Sequence, residues 1–245
     1  MLLKKFLYAA ASAALVFGAA PAWATGVDRA EVEKIVREYL LANPEILNEM
    51  IAELQKHEEV ASNQKAKSGI AANSDALYSD GYSFVAGNPN GDVTLIEFFD
   101  YRCGYCKKVR ADVVKLLEED KGVRLILKEF PILSAVSHEA SKAALASLRQ
   151  GGDHYWKFHQ AMLSADSLDS GTIYEIAAEQ GLDVARLKRD MEDPAIEEHL
   201  KKTHELAQSI GIDGTPAFIM GDKLAPGAIG LQDMKDMVAE QRSGG

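Results

Sequence analysis

Both cysteines of the chain stand in one motif, Cys103-Gly104-Tyr105-Cys106. A thiolate is a nucleophile and a soft metal ligand, so sulfur at this spacing has few uses. Two intervening residues put Cys106 one helical turn beyond Cys103, within reach of a disulfide. The motif follows an apolar run, Val93-Thr94-Leu95-Ile96-Glu97-Phe98-Phe99, and precedes Val109, Val113, Leu116 and Leu117 at helical spacing. A strand therefore passes into a helix here, with Cys103 at the helix start. Free N–H groups and a partial positive charge in the first turn stabilise a thiolate on Cys103. In thiol–disulfide exchange Cys103 is then the exposed attacking sulfur and Cys106 the resolving one.

Other uses of the pair stay open at this point. A purely structural disulfide would close a four-residue loop and constrain little of the unfolded chain. For zinc the pair is half a site. The histidines (His57, His138, His154, His159, His199 and His204) are scattered through predicted helices and supply no second half. Two thiolates do suit Cu(I). The sequence itself assigns no metal and no cofactor.

Three neighbouring features bear on the same chemistry. Lys107, Lys108 and Arg110 follow the motif at once. Cations oppose the dipole at a helix start, so they either stabilise the thiolate further or face solvent. Glu97 interrupts the apolar strand six residues before Cys103. If it is buried, its carboxyl rises toward a range useful for moving a proton to and from Cys106. If the strand end reaches water, it has no such role. Lys128 on the neighbouring strand is a candidate ion-pair partner. Thr215-Pro216 precedes a later strand, and base frequencies alone favour a trans bond there.

The elements that position these residues are legible from periodicity and turn residues. Gly87-Asn88-Pro89-Asn90-Gly91-Asp92 is a turn cluster before the first apolar strand. A helix over about 103–119 and a second apolar strand over 123–129 complete a βαβ unit with parallel strands. Helices are predicted near 137–149, 153–164, 171–180, 183–192 and 194–209, so the insert spans about 134–210. A strand at 217–220, a turn at Gly221-Asp222, a strand at 223–229 and a helix at 231–241 finish the domain. Ahead of it, Val32, Ile35, Val36, Tyr39 and Leu40 fall at helical spacing after Asp28. Asn43-Pro44 is expected to open a second helix with Ile46, Leu47, Met50, Ile51 and Leu54 on one face. A polar stretch, Gln55 to Ser74, separates these two apolar faces from the main domain, so residues 25–60 read as a self-association segment and 61–82 as a linker, the stretch itself being either flexible or a helical extension. The catalytic domain is 83–245.

Composition narrows the function classes. The 245 residues are 47% hydrophobic and 26% charged, which suits a globular protein. A net charge of −10 excludes a basic nucleic-acid-binding footprint, so no nucleic-acid partner is expected. Lys4-Lys5, an apolar run from Phe6 to Ala20 and Ala22-Trp23-Ala24 form an export signal over residues 1–24. The run is short for a roughly 20-residue membrane span. Export to a periplasm, where disulfide chemistry is permitted, is the expected localisation.

Glu97-Phe98-Phe99-Asp100-Tyr101-Arg102-Cys103-Gly104-Tyr105-Cys106, the helical insert and Gly214-Thr215-Pro216 together resemble the DsbA-type thioredoxin superfamily. The resemblance runs from about Gly87 to Gln241. Tyr155-Trp156-Lys157-Phe158-His159 is also similar to the opening of one insert helix in that family. It implies an α/β thioredoxin fold with a helical insertion behind a short α-helical oligomerisation segment. It also implies a cis Pro216 beside the cysteines, with Thr215 offering backbone groups to an extended client. Substrate contacts then fall to Thr215, Pro216, Gly104 and Tyr105. The family's oxidase has Pro-His between its cysteines and Val before its cis proline. Gly104-Tyr105 with Thr215-Pro216 more closely resembles the DsbC-type isomerases, which are oligomers built through an N-terminal segment. A catalytic domain behind helices such as Tyr39-Leu40-Leu41-Ala42-Asn43-Pro44-Glu45 is similar to the ScsC group, and Com1-like proteins share this layout. The resemblance thus implies exported clients with disulfides or thiols, a membrane redox partner that resets the cysteines, and a homo-oligomer. A dithiol oxidase and a copper-binding or client-holding protein are the competing functions.

Overall fold

The computed structural model describes residues 28–244, so the export signal read over 1–24 lies outside the described residues. The chain divides into two compact units, Met1–Leu54 and Gln55–Gly245.

In the first unit, helix α1 (Arg29–Ala42) starts at Asp28, whose side chain accepts from the Ala30 N–H. Asn43, expected to cap the second helix, closes the first one instead: its side-chain amide donates to Tyr39 O at 2.8 Å. Helix α2 (Glu45–Ala72) follows Pro44, and its residues 45–54 belong to this unit. No α1 residue is buried. Tyr39, Leu41, Met50 and Leu54 are each more than half exposed.

In the second unit, residues 61–82 follow the helical-extension alternative more than the linker. They are helical to Ala72 and again in α3 (Ser74–Tyr78), and they bury Ala66, Ile70 and Leu77. The segment is polar, but Ala66, Gly69 and Ile70 recur three and four residues apart on one face. A Cβ on Gly69 would lie 2.8 Å from the Cα of Ile210, so glycine is what permits this close approach.

Five strands form one mixed sheet in the order β1-β3-β2-β4-β5. They are β1 (Phe84–Gly87), β2 (Val93–Phe99), β3 (Val123–Glu129), β4 (Ala217–Met220) and β5 (Lys223–Pro226). β2 and β3 are parallel, joined by helix α4 (Gly104–Glu119); the remaining pairs are antiparallel. The edge strand β1 is too short and too weakly patterned to have been read from sequence. Leu95 and Phe99 of β2 pack with Val109, Val113 and Leu116 of α4 and with the insert. Ile96 and Phe98 face the other way, onto Ile70, Leu77 and Ile210. Cover on both faces is why the two central strands read as near-continuous apolar runs.

The insert comprises α5 (Ala135–Ser147), a 3-10 turn (Leu148–Gln150), α6 (Gly152–Ser164), α7 (Ser170–Glu179), α8 (Val184–Asp190) and α9 (Pro194–Ile210). Ser134, Asp169, Asp183 and Asp193 each accept a backbone N–H at a helix start. Helix α10 (Leu231–Gly244) ends the described chain. A βαβ unit, a helical insert and a ββα end make the thioredoxin fold with a helical insertion.

Candidate active site

Cys103 is the N-cap of α4, with φ −72° and ψ 116°, and its Sγ accepts the Cys106 N–H at 3.4 Å. Sulfur stands where a serine or aspartate oxygen serves at other helix starts. Both cysteines are free thiols. Cys103 Sγ also donates to Thr215 O at 3.1 Å, and the Thr215–Pro216 peptide is cis. The frequency-based expectation of a trans bond is thus overturned, and the family-based one describes the bond. Cys103 is only 6% exposed, more covered than an open nucleophile, because it lies against the Thr215 carbonyl. Once ionised, the sulfur keeps its acceptor role toward Cys106 N–H and has no proton to donate to Thr215 O. That carbonyl is then free for an incoming N–H. A Cβ on Gly104 would meet nothing within 4 Å, and Tyr105 is 65% exposed, so approach beside the sulfur is open.

Cys106 is fully buried on α4. Burial pushes its thiol far above the ordinary range; a backbone N–H of Asp100 pulls the other way, and the charge of Glu97 adds to the rise. Glu97 lies on the β2 face that carries Leu95 and Phe99 and is 4% exposed. Burial alone raises its carboxyl from 4.5 to about 8. An acid in this range is suited to moving a proton, and its charge is felt at Cys106. Lys128 does not pair with Glu97. In the parallel register it stands beside Phe98, and Glu97 beside Leu127, so the two point to opposite faces. Lys128 Nζ instead bonds Ala76 O at 2.7 Å and Asp80 Oδ2 at 2.5 Å.

Two of the cations after the motif are held by the insert. Lys107 Nζ donates to Ala165 O at 2.6 Å, at the end of α6, and Arg110 Nη1 to Gln160 Oε1 at 3.0 Å. A cation at a helix C-terminus satisfies its last carbonyls, so Lys107 has a structural partner; Lys108 faces solvent.

Sequence reasoning missed the turn before Cys103. Cys103 N donates to Asp100 O at 3.0 Å, closing the turn Asp100-Tyr101-Arg102-Cys103. The buried Asp100 carboxylate accepts from the N–H groups of Arg102, Ile132 and Leu133 at 2.8–3.0 Å. Also missed was a buried cluster of Tyr101, Glu129, Ser141, Tyr155 and His159. Glu129 closes the apolar run of β3 much as Glu97 interrupts that of β2, and this was the available signal. Among the described residues no group of three or more His, Cys, Asp or Glu is placed to hold a metal ion.

The comparisons with known proteins agree with this geometry. The family model of the DsbA-like thioredoxin domain matches residues 94–239. That of the copper resistance protein ScsC N-terminal domain matches 28–61. A thioredoxin-like oxidoreductase from Silicibacter pomeroyi is 41% identical, with a TM-score of 0.68 over 70% of this chain and 98% of its own. A linker-deletion mutant of Proteus mirabilis ScsC is 28% identical, with a TM-score of 0.69 over 91% of this chain and 99% of its own. A probable disulfide bond formation protein D from Bacillus anthracis is 26% identical over 151 residues, covering 57% of this chain and 70% of its own. With its dithiol at the N-cap of α4 beside a cis proline, the chain belongs to the DsbA-like thioredoxin family, as a thiol–disulfide oxidoreductase that carries an ScsC-type N-terminal domain.

Proposed function

We propose that the protein is a periplasmic disulfide isomerase and reductase that acts on exported clients through Cys103 and Cys106. The observation that carries this reading is the pairing of a dithiol site with a separate helical unit whose apolar side chains face solvent. Leu41 is 72% exposed, and Tyr39 and Met50 are each 60% exposed. A run of exposed apolar side chains marks an interaction surface, and residues 25–60 supply it for association with further copies. Several dithiols then act on one misfolded client.

The Cys103 thiolate attacks a client disulfide, forming a mixed disulfide and releasing one client thiolate. In isomerisation that thiolate attacks another client disulfide, and Cys103 leaves reduced when the client closes its final bond. In reduction Cys106 gives its proton to Glu97 and attacks the Cys103 sulfur. The client leaves as a dithiol, and Cys103–Cys106 is left as a disulfide for a membrane redox partner to reduce. Thr215 holds the client as an added strand, with Pro216, Gly104 and Tyr105 bordering it.

Reactivation of scrambled ribonuclease in a glutathione buffer tests this reading. Strong reactivation by the full mature chain is expected. Failure to reactivate, together with rapid oxidation of reduced ribonuclease, would replace it with a dithiol oxidase. The likeness to a Bacillus protein named for disulfide bond formation favours that second reading.

A further inference from the structure

Tyr101 occupies the second position of the Asp100–Cys103 turn, two residues before the attacking sulfur. Its hydroxyl donates to Glu129 Oε1 at 3.0 Å. Tyr155 Oη donates to the same oxygen at 2.8 Å, and Ser141 Oγ to Oε2 at 2.7 Å. His159 Nδ1 lies 3.0 Å from Tyr101 Oη. The tyrosine has one proton and gives it to the carboxylate, so His159 carries its hydrogen on Nδ1 and donates in turn. Every member is at most 3% exposed. The cluster joins the turn, the end of β3, and helices α5 and α6, and no step of the exchange reaction uses it.

A buried acid is a costly choice for a merely structural post. Glu129 has no salt-bridge partner among the described residues, so hydroxyls alone offset its desolvation. The turn it reaches is closed by one backbone hydrogen bond and tied through the Asp100 carboxylate to Arg102, Ile132 and Leu133, and the cap from Cys106 N–H to Cys103 Sγ ends on sulfur, a weak acceptor. Small displacements of such a turn alter how the sulfur is solvated and aimed. We propose that Glu129 is a positioning residue for Cys103: through Tyr101 it holds the turn that presents the attacking sulfur, and it thereby makes helices α5 and α6 part of the redox site. The inference rests on Cys103 being that sulfur.

The arrangement also makes the coupling depend on pH. Burial raises the Glu129 carboxyl to about 8, against the hydrogen bonds from Ser141, Tyr155 and Tyr101 and with a small push from Asp100. His159 stays neutral, because burial lowers it to about 3 with help from Arg110 on α4. The groups facing Glu129 are thus Tyr101 and Asp100 from the turn, Ser141 from α5, and Tyr155 and neutral His159 from α6. Above about pH 8 all three hydroxyls converge on a carboxylate. Below it the carboxyl holds a proton, and one contact must reverse its direction, as the Ser141 hydroxyl can by accepting from Oε2–H.

The test is the rate at which the reduced full-length protein reacts with a small aromatic disulfide between about pH 6 and pH 10, spanning these titrations. It is run in a Glu97→Gln background, which removes the other buried acid. The profile rises as the attacking thiolate forms; Glu129→Gln should shift that rise and change the plateau rate roughly three- to tenfold, the weight of one buried hydrogen bond. Tyr155→Phe, which leaves the turn intact, should move the profile in the same direction by less. A Glu129→Gln protein that loses stability but keeps the parent's pH profile would overturn the proposal and leave Glu129 structural. If Glu129→Gln does not fold, Tyr155→Phe and Ser141→Ala decide: unchanged profiles in both overturn it, and shifted ones support it. A parent that never reacts would defeat the assignment of Cys103 itself, and the positioning role with it.

Discussion

Glu97 and Glu129 lie on the same face of the sheet, on adjacent parallel strands, and each is raised by burial to about 8. This has a consequence for stability at the single-residue scale. The folded protein keeps the Glu97 proton that the unfolded chain releases near its ordinary value of 4.5. Stability is therefore full below that value and falls as pH rises toward about 8. Glu97→Gln is expected to match the parent near pH 4 and to exceed it above pH 8 by on the order of 2–4 kcal/mol, read from urea unfolding. Parallel stability curves would place the carboxylate in water. The same substitution removes the proton acceptor proposed for Cys106. The mixed disulfide with a client should then accumulate while the first attack by Cys103 proceeds, visible as a thiol-sensitive adduct on gels. Cys103→Ser abolishes both events, and residual exchange by that variant would contradict the roles given to the two sulfurs.

At the scale of elements, residues that repeat with a helix or strand period were legible, and residues whose role depends on a distant neighbour were not. The βαβ unit and the helices of the insert could be read because their apolar positions alternate or recur and every insert helix but α6 starts at a Ser or Asp cap. Helix boundaries moved by a few residues, and the 3-10 turn after α5 absorbed one overlap. Residues 61–82 could not be decided between linker and helical extension because Ala66, Gly69 and Ile70 are sparse in a polar stretch, and only the docking of α2 on α9 reveals what they bury. The Lys128–Asp80 pair was invisible for the same reason: 48 residues separate its partners, whereas Glu97 seemed the nearer match. Lys128 is fully buried, with Asp80 as its counter-charge and the Tyr82 ring 5.8 Å from its ammonium. Burial would raise the Asp80 carboxyl, but hydrogen bonds from Lys128 and Ser83 outweigh it and hold it below the ordinary range. Its contribution is thus present above the unfolded value and is lost as pH falls through the folded one. Asp80→Ala strands a buried ammonium and should cost about 3–5 kcal/mol, with part of that loss recovered by adding Lys128→Met. Equal stability of Asp80→Ala and the parent near pH 7 would mean that α3 is not held to the sheet by this pair.

For the whole molecule the question is what the first unit adds to a domain that already holds the complete dithiol site. The residues proposed to attack, to resolve and to receive a client all fall between Glu97 and Pro216, within the second unit. The buried anchors of α2, Ala66 and Ile70, belong to that unit as well. Removing residues 25–60 therefore leaves the core of the catalytic unit intact while deleting the exposed apolar face. The shortened protein is expected to reduce a small disulfide at the parent's rate, because a single Cys103 suffices for that step. It is expected to lose reactivation of scrambled ribonuclease, which needs repeated attack on one client by neighbouring sites. Light scattering should show an oligomer for the longer chain and a monomer for the shorter one. A longer chain that is already monomeric would remove association as the purpose of the exposed face. A shortened monomer that still reactivates ribonuclease fully would show instead that one dithiol and its strand-binding edge are sufficient for isomerisation.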